Sequence, residues 1–185
     1  MAKLTLCACS RLMVHGTNLA IVPMSFTLAH ADVRVRVTRM RDAKVLERLI
    51  LGNREWLRPW EATNPSAPNS FDMRPNIRSM LRQFDSGTGI PFVIEVDDVV
   101  VGQLNVANIL YGSVSCATIG YWVVPAAAGR GVTPTAVALV SDYLFNQAGL
   151  HRVEIEIRPE NKASLRVVEK LGFRFEGTKL RHIHT

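Results

Sequence analysis

Residues 119–134 constrain the fold more than any other stretch. They read Ile-Gly-Tyr-Trp-Val-Val-Pro-Ala-Ala-Ala-Gly-Arg-Gly-Val-Thr-Pro. An apolar, β-branched and aromatic run gives way to a glycine-bearing loop and then to a helix start, with Thr133 as cap and Pro134 in the first turn. A strand that enters a helix this way leaves backbone N–H groups free at the positive end of the helix dipole, where a phosphate can dock. The helix runs to residue 147 and Gly149 ends it. Residues 153–157 then alternate Val and Ile with Glu154 and Glu156, so that one face of a second strand is acidic. Two strands flanking one helix make a βαβ unit, parallel and right-handed.

The remaining pattern is mixed. Residues 33–37 alternate valine and arginine as a half-buried strand, and residues 42–51 have apolar positions at helical spacing. Residues 53–68 form a loop rich in Asn, Pro and Ser, and residues 71–85 form a second helix ended by Gly87. Two strands, 92–96 and 99–106, join at Asp97-Asp98, and a third covers 113–124. A last helix spans 161–171 and closes at Gly172. The order β-α-α-β-β-β-α-β-α predicts a mixed α/β fold, a mostly antiparallel sheet flanked by helices.

Composition narrows the class. At 185 residues and 48% apolar content, one domain with a substantial core is expected. No run of about 18 apolar residues is present, so no membrane span is expected. The apolar stretch 4–22 is interrupted by Arg11, His15 and Asn18, which makes it a poor signal peptide. Residues 1–32 are read as an N-terminal extension, and Met24 is a candidate alternative start. Three cysteines, Cys7, Cys9 and Cys116, give no disulfide framework and fit a reducing cytoplasm. Cys7-Ala-Cys9 lacks a histidine pair, and His182-x-His184 reads as strand alternation, so no metal site is expected. The net charge of +6 favours anionic partners: a pyrophosphate, an acidic peptide or RNA.

Two motifs carry the chemistry. In Ala128-Gly129-Arg130-Gly131-Val132-Thr133 the glycines let backbone approach a pyrophosphate, and Arg130 adds a charged donor. In Asn161-x-x-Ser164 followed by Glu169-Lys-Leu-Gly-Phe173, Asn161 caps the helix and Ser164 lies near the same face. Together the two segments resemble the cofactor motifs of the GNAT N-acetyltransferase superfamily, over residues 33–185. The family pattern Gln/Arg-x-x-Gly-x-Gly/Ala keeps Gly131 here, with Ala128 first and Thr133 last. The resemblance implies the GNAT acyl-CoA N-acyltransferase fold, a twisted sheet with one splayed parallel pair, and acetyl-CoA as co-substrate. It places the pantetheine arm against Trp122, Val123 and Val124, with one N–H there as an oxyanion-type donor. It gives Asn161 a contact to the arm and Ser164 the role of acid toward the thiolate, because Val168 stands where some relatives carry tyrosine.

The same resemblance extends to RimJ- and RimL-like enzymes that acetylate ribosomal-protein N-termini. Their base glutamate sits in a similar Glu156-x-Arg158-x-x-Asn161 string. Glu154 shares a face with Glu156, and repulsion between them would raise one toward a useful base. Residues 53–61 resemble the early loop of these enzymes, with Trp56, Trp60 and Glu61 as a substrate wall and Glu61 as reserve base. The expected acceptor is a protein N-terminal α-amine, foremost an alanine of a ribosomal protein, handled by a monomer or homodimer with weak RNA or ribosome association. The rivals are acetylation of a small amine such as an antibiotic or polyamine, and a silent domain binding CoA or RNA. GNAT domains close with two strands after the Gly-Phe of the second motif, the last beside the base-carrying strand. Only one short strand fits before Thr185, so an exposed sheet edge is expected there.

Overall fold

Alternating burial along Val33–Val37 sets valines into the core and leaves Arg34 and Arg36 partly outside, as the two-residue period requires. That strand belongs to an eight-stranded sheet in a computed structural model that describes residues 2–9, 22–60 and 72–180. The strands are β1 (Lys3–Cys9), β2 (Thr27–His30), β3 (Val33–Val37), β4 (Ile90–Val96), β5 (Val99–Leu110), β6 (Cys116–Val123), β7 (Arg152–Ile157) and β8 (Arg174–Lys179). The helices are α1 (Ala43–Gly52), α2 (Arg54–Leu57), α3 (Met73–Asp85), α4 (Val132–Asn146) and α5 (Lys162–Lys170). Spatial order is β2-β3-β4-β5-β6-β7-β1-β8, and only β6 and β7 run parallel.

One sheet face, bearing Leu104, Ile119, Val153 and Ile155, packs with α4 and α5 around residues such as Val137, Leu144 and Val168. On the other, Val93 and Trp122 meet α1 and α3 through Leu46, Ile50 and Ile77. That second face continues over β7 and β1 with Glu154, Glu156, Thr5 and Cys7. Arg36 locks α1 to the sheet. Its guanidinium holds Asp42 with bonds of 2.8 and 2.9 Å, and its Nε donates to Glu95 at 2.8 Å. Burial works against the Asp42 charge. Arg36 and the Arg39 N–H, 2.7 Å away, outweigh it and hold the carboxyl below the usual range.

Two strands lie where the sequence offered no family counterpart, β1 and β2 at residues 3–9 and 27–30. The place beside β7 that the resemblance reserves for a last strand is taken by β1. It is antiparallel to β7 (Thr5 opposite Glu156) and to β8 (Thr5 opposite Gly177). The expected bare edge on β7 is therefore covered. Leu6 is buried in the main core, whereas Cys9 at the end of the strand is exposed. Helix α4 also starts earlier than its sequence suggests: Gly131, in the left-handed region at φ 84°, is the N-cap, and Thr133 lies inside the first turn.

Two outcomes follow from these contacts. Leu6→Ala should lower unfolding free energy by about 2–4 kcal/mol in denaturant titration, the cost of emptying a buried leucine site. An unpaired segment would give no change. Asp42→Asn should cost about 1–3 kcal/mol at neutral pH, because the Arg36 guanidinium keeps Glu95 but loses its two charged bonds to Asp42. A carboxyl with a depressed folded pKa stabilises above its unfolded pKa and loses that effect as pH falls through the folded one. The gap between wild type and variant should thus close as the titrations move below pH about 4.

Candidate active site

The parallel ladder between β6 and β7 stops after Ile119 opposite Ile155. Each strand then continues with its outer neighbour: β6 with β5 to Val123 opposite Gly102, and β7 with β1 to Ile157 opposite Leu4. A gap must open between them from Gly120 and Glu156 onward. The Val124 N–H donates to Val101 O at 2.9 Å, on the β5 side. Backbone direction alternates along a strand, so the Tyr121 and Val123 amides turn into the gap. The strands part where the splay was expected, at Trp122, Val123 and Val124, and these three residues differ in how they pair. The Trp122 side chain packs toward α1 and α3, Val124 is committed to β5, and Val123 presents main chain to the opening. The Val123 carbonyl accepts the Trp56 indole N–H at 3.0 Å.

Beyond β6, residues 125–127 make a short 3-10 turn, followed by exposed Gly129, Arg130 and Gly131. Gly129 and Gly131 have φ of 76° and 84°, and a Cβ on either would meet no atom within 4 Å. Backbone here is bare on its outer side, as a cradle for a bulky anion requires. The first α4 amide to bond back is that of Thr135, to Gly131 O at 3.1 Å. The Val132 and Thr133 N–H groups precede it without i−4 partners, and Pro134 has none to offer. Arg130 is exposed beside them.

Asn161 caps α5 through its side-chain oxygen, which accepts from the Ser164 N–H at 3.0 Å. Ser164 Oγ makes no hydrogen bond among the described residues, so the hydroxyl is not spent on the backbone. The Tyr121 hydroxyl, unremarked in the sequence, crosses the gap and donates to the Ser164 carbonyl at 3.4 Å. Burial pushes the Tyr121 phenol up to about 12, the bond to Ser164 pulling weakly the other way. The second motif is thereby tied to β6 at the point where the strands part.

On the opposite face Glu156 lies half-buried on β7. Lys179 Nζ is 2.6 Å from one of its oxygens and Lys3 Nζ 4.0 Å from the other. Glu154 accepts from Arg152 at 2.8 Å, and Arg152 also engages Glu176 on β8. The two glutamates share a face as expected, but each has its own cation, and their pairing is with those cations, not with each other. Burial lowers the Lys3 pKa, against a smaller opposing pull from Glu156. Trp56 and Trp60 are 41% and 38% exposed, too open for core anchors. Their loop straddles the gap: Trp56 bonds β6 at Val123, and the Pro59 carbonyl accepts from Arg158 at the end of β7. Glu61, His182 and His184 lie outside the described residues. Among those residues no group of three or more His, Cys, Asp or Glu is placed to hold a metal, and no helix is long and apolar enough to cross a membrane.

A parting parallel pair, a glycine loop at a helix start and a carboxylate across the opening are what the sequence resemblance led one to expect. Comparison with known proteins bears out the family and the fold. The model of the acetyltransferase (GNAT) domain matches residues 33–174. The structure of Mycobacterium smegmatis RimJ in complex with CoA-disulfide superposes with a TM-score of 0.76 at 34% identity, covering 83% of this chain and 75% of that one. The [ribosomal protein uS5]-alanine N-acetyltransferase of Escherichia coli K12 is 28% identical over 149 residues, 77% of this chain and 75% of that protein. Bacillus subtilis YjcK, described as a probable N-acetyltransferase, is 39% identical over 87 residues, 47% of this chain and 48% of YjcK. The match to YjcK thus spans about half of either protein. With its motifs, its parted strands and a family match over most of its length in agreement, the chain belongs to the GNAT family of N-acetyltransferases.

Proposed function

We propose that this chain transfers acetyl from acetyl-CoA to the N-terminal α-amine of a protein, with an N-terminal alanine of a ribosomal protein as its acceptor. The observation that carries the reading is the gap at Ile119 and Ile155, which has the glycine loop at one end and Glu156 at its edge. The relatives support the acceptor class: one is a ribosomal-protein alanine acetyltransferase and another a RimJ.

The loop residues fit a CoA pyrophosphate. Gly129, Arg130, Gly131, Val132 and Thr133 offer main-chain N–H groups at a helix start, and Arg130 adds a guanidinium. Acetyl-CoA supplies the activated thioester, and the protein orients it. Val123 N–H, directed into the gap, donates to the thioester oxygen as negative charge grows there; one such donor is worth about 3 kcal/mol. Glu156 receives the proton that the attacking amine sheds, a modest task for a group of pKa about 8. Ser164 Oγ donates to the departing sulfur as the C–S bond breaks, and Asn161 keeps α5 in place for it. Trp56 and Trp60 wall the peptide's approach. A small polycationic acceptor is less well served, because Arg152 engages Glu154, and Lys3 and Lys179 engage Glu156.

The first test is to incubate the protein with acetyl-CoA and a peptide beginning with alanine, beside a spermidine control, and follow intact mass. One acetyl on the peptide α-amine is expected; transfer to spermidine alone would overturn the acceptor assignment. Glu156→Gln should lower kcat about 100-fold while the acetyl-CoA Kd from calorimetry stays within about twofold. An unchanged rate removes Glu156 from the chemistry. Gly131→Glu should lose cofactor binding by about 100-fold or more, since a carboxylate would face the pyrophosphate. Gly131→Ala imposes the same left-handed backbone cost without the charge and should bind far better. Equal loss in both would trace the effect to strain alone.

A further inference from the structure

We propose that Cys7 and Cys9 form a reversibly oxidisable dithiol, which closes to a disulfide when the protein meets a peroxide. The pair stands apart from the acetyl-transfer gap and does not rest on that reading. Cys7 and Cys9 lie two residues apart on β1, opposite Glu154 and Arg152 of β7, so both thiols project from the same sheet face. Their sulfurs are 3.5 Å apart, a direct contact in which either thiol can donate to the other. Cys7 is 3% exposed, whereas Cys9 is open to solvent. Cys116 lies on β6, with β7 between it and β1. Two strand spacings, about 10 Å, put it beyond disulfide reach of Cys9. Among the described residues no third His, Cys, Asp or Glu completes a metal site with the pair.

The geometry also makes the bond a labile one. Cα atoms two residues apart in a strand are separated by about 6.4–6.8 Å, at the outer limit of what a disulfide spans. Bringing the sulfurs from 3.5 Å to a bonded distance of about 2.05 Å therefore draws the end of β1 together. That end can give way. Cys9 is the last residue of the strand, and among the described residues it pairs with Arg152 on β7 and with none on β8. A disulfide closed at the edge of its range is strained and readily reduced, unlike a structural one.

Burial pushes the Cys7 thiol up to about 12; the Cys9 hydrogen bond acts the same way, and Arg152 acts against both. Cys7 thus stays a thiol, and exposed Cys9 is the sulfur that meets the oxidant. The Cys9 thiolate attacks one peroxide oxygen. An S–O bond forms, the O–O bond breaks, and the departing hydroxide takes up a proton as water, leaving a sulfenic acid. The Cys7 sulfur, already in contact, then attacks the Cys9 sulfur. The S–S bond forms as the S–O bond breaks, and the leaving hydroxide carries off the Cys7 proton as a second water. Two thiols are oxidised and one peroxide is reduced to two waters. Two molecules of reduced glutathione reverse the change and leave as glutathione disulfide.

The test treats the reduced protein with hydrogen peroxide and follows intact mass and peptide mass spectra. Wild type should lose two hydrogens from the peptide that holds both Cys7 and Cys9, and regain them with excess reduced glutathione. Cys7→Ser should instead hold Cys9 as a sulfenic acid, giving about tenfold or more dimedone adduct than wild type, where Cys7 reacts first. Cys9→Ser, a change at an exposed position, should form no disulfide within the chain. Cys116→Ser should oxidise at a rate within about twofold of wild type. A wild type that stays reduced overturns the proposal, as does one that goes to sulfinic acid or links two chains through Cys9. Equal dimedone capture in wild type and folded Cys7→Ser overturns it too. So does a disulfide that persists in excess glutathione, or one that still forms in Cys9→Ser.

Discussion

Two neighbouring strands begin as a bonded parallel pair and cease to bond at Ile119 and Ile155; most of what is functional here depends on that event. Parting strands exposes main-chain polar groups that a protein interior cannot leave unsatisfied without cost. The cost is tolerable because each strand has a firm partner on its other side, β5 for β6 and β1 for β7. The sheet can then open without unravelling. Trp56 satisfies one freed carbonyl, that of Val123, and the Tyr121 hydroxyl spans the gap to α5.

The opening joins two different environments. Toward α4 and α5 lie the glycine loop, Asn161 and Ser164, a region of main-chain donors suited to an anionic thioester carrier. Toward α1 and α3 lie Glu156 and the tryptophan loop, a carboxylate beside exposed aromatic surface. Lysine and arginine partners hold the carboxylates of this side in place. A cation arriving at Glu156 must therefore compete with Lys179 and Lys3, which disfavours indiscriminate binding of polyamines.

The centre of the fold was legible because its signals are local. The run from β6 through the glycine loop, α4, β7 and α5 is written in apolar periodicity and caps; the cap of α4 shifted, and β6 begins at Cys116 rather than at 113. There Thr133 has the better capping side chain, but Gly131 can adopt the left-handed backbone that turns the loop. What escaped was long-range. Lys3-Leu4-Thr5-Leu6 alternates as a strand should, yet nothing nearby in sequence shows that its partners are β7 and β8. The cations on Glu154 and Glu156 come from β1, β7 and β8, and only the folded sheet assembles them.

The position of β1 also bears on how the molecule comes together. Among the described strands, β8 pairs only with β1, so the end of the sheet is joined through residues separated by roughly 170 positions. Closing so long a loop carries a large entropic cost before any contact compensates for it, and such steps come late in folding. The chain can therefore pass through a stage in which β2 to β7 are assembled while β7 still has an open edge. At that stage the strand that bears Glu156 is a template for any extended peptide. Folding is complete only when β1 returns to cover the open edge of β7.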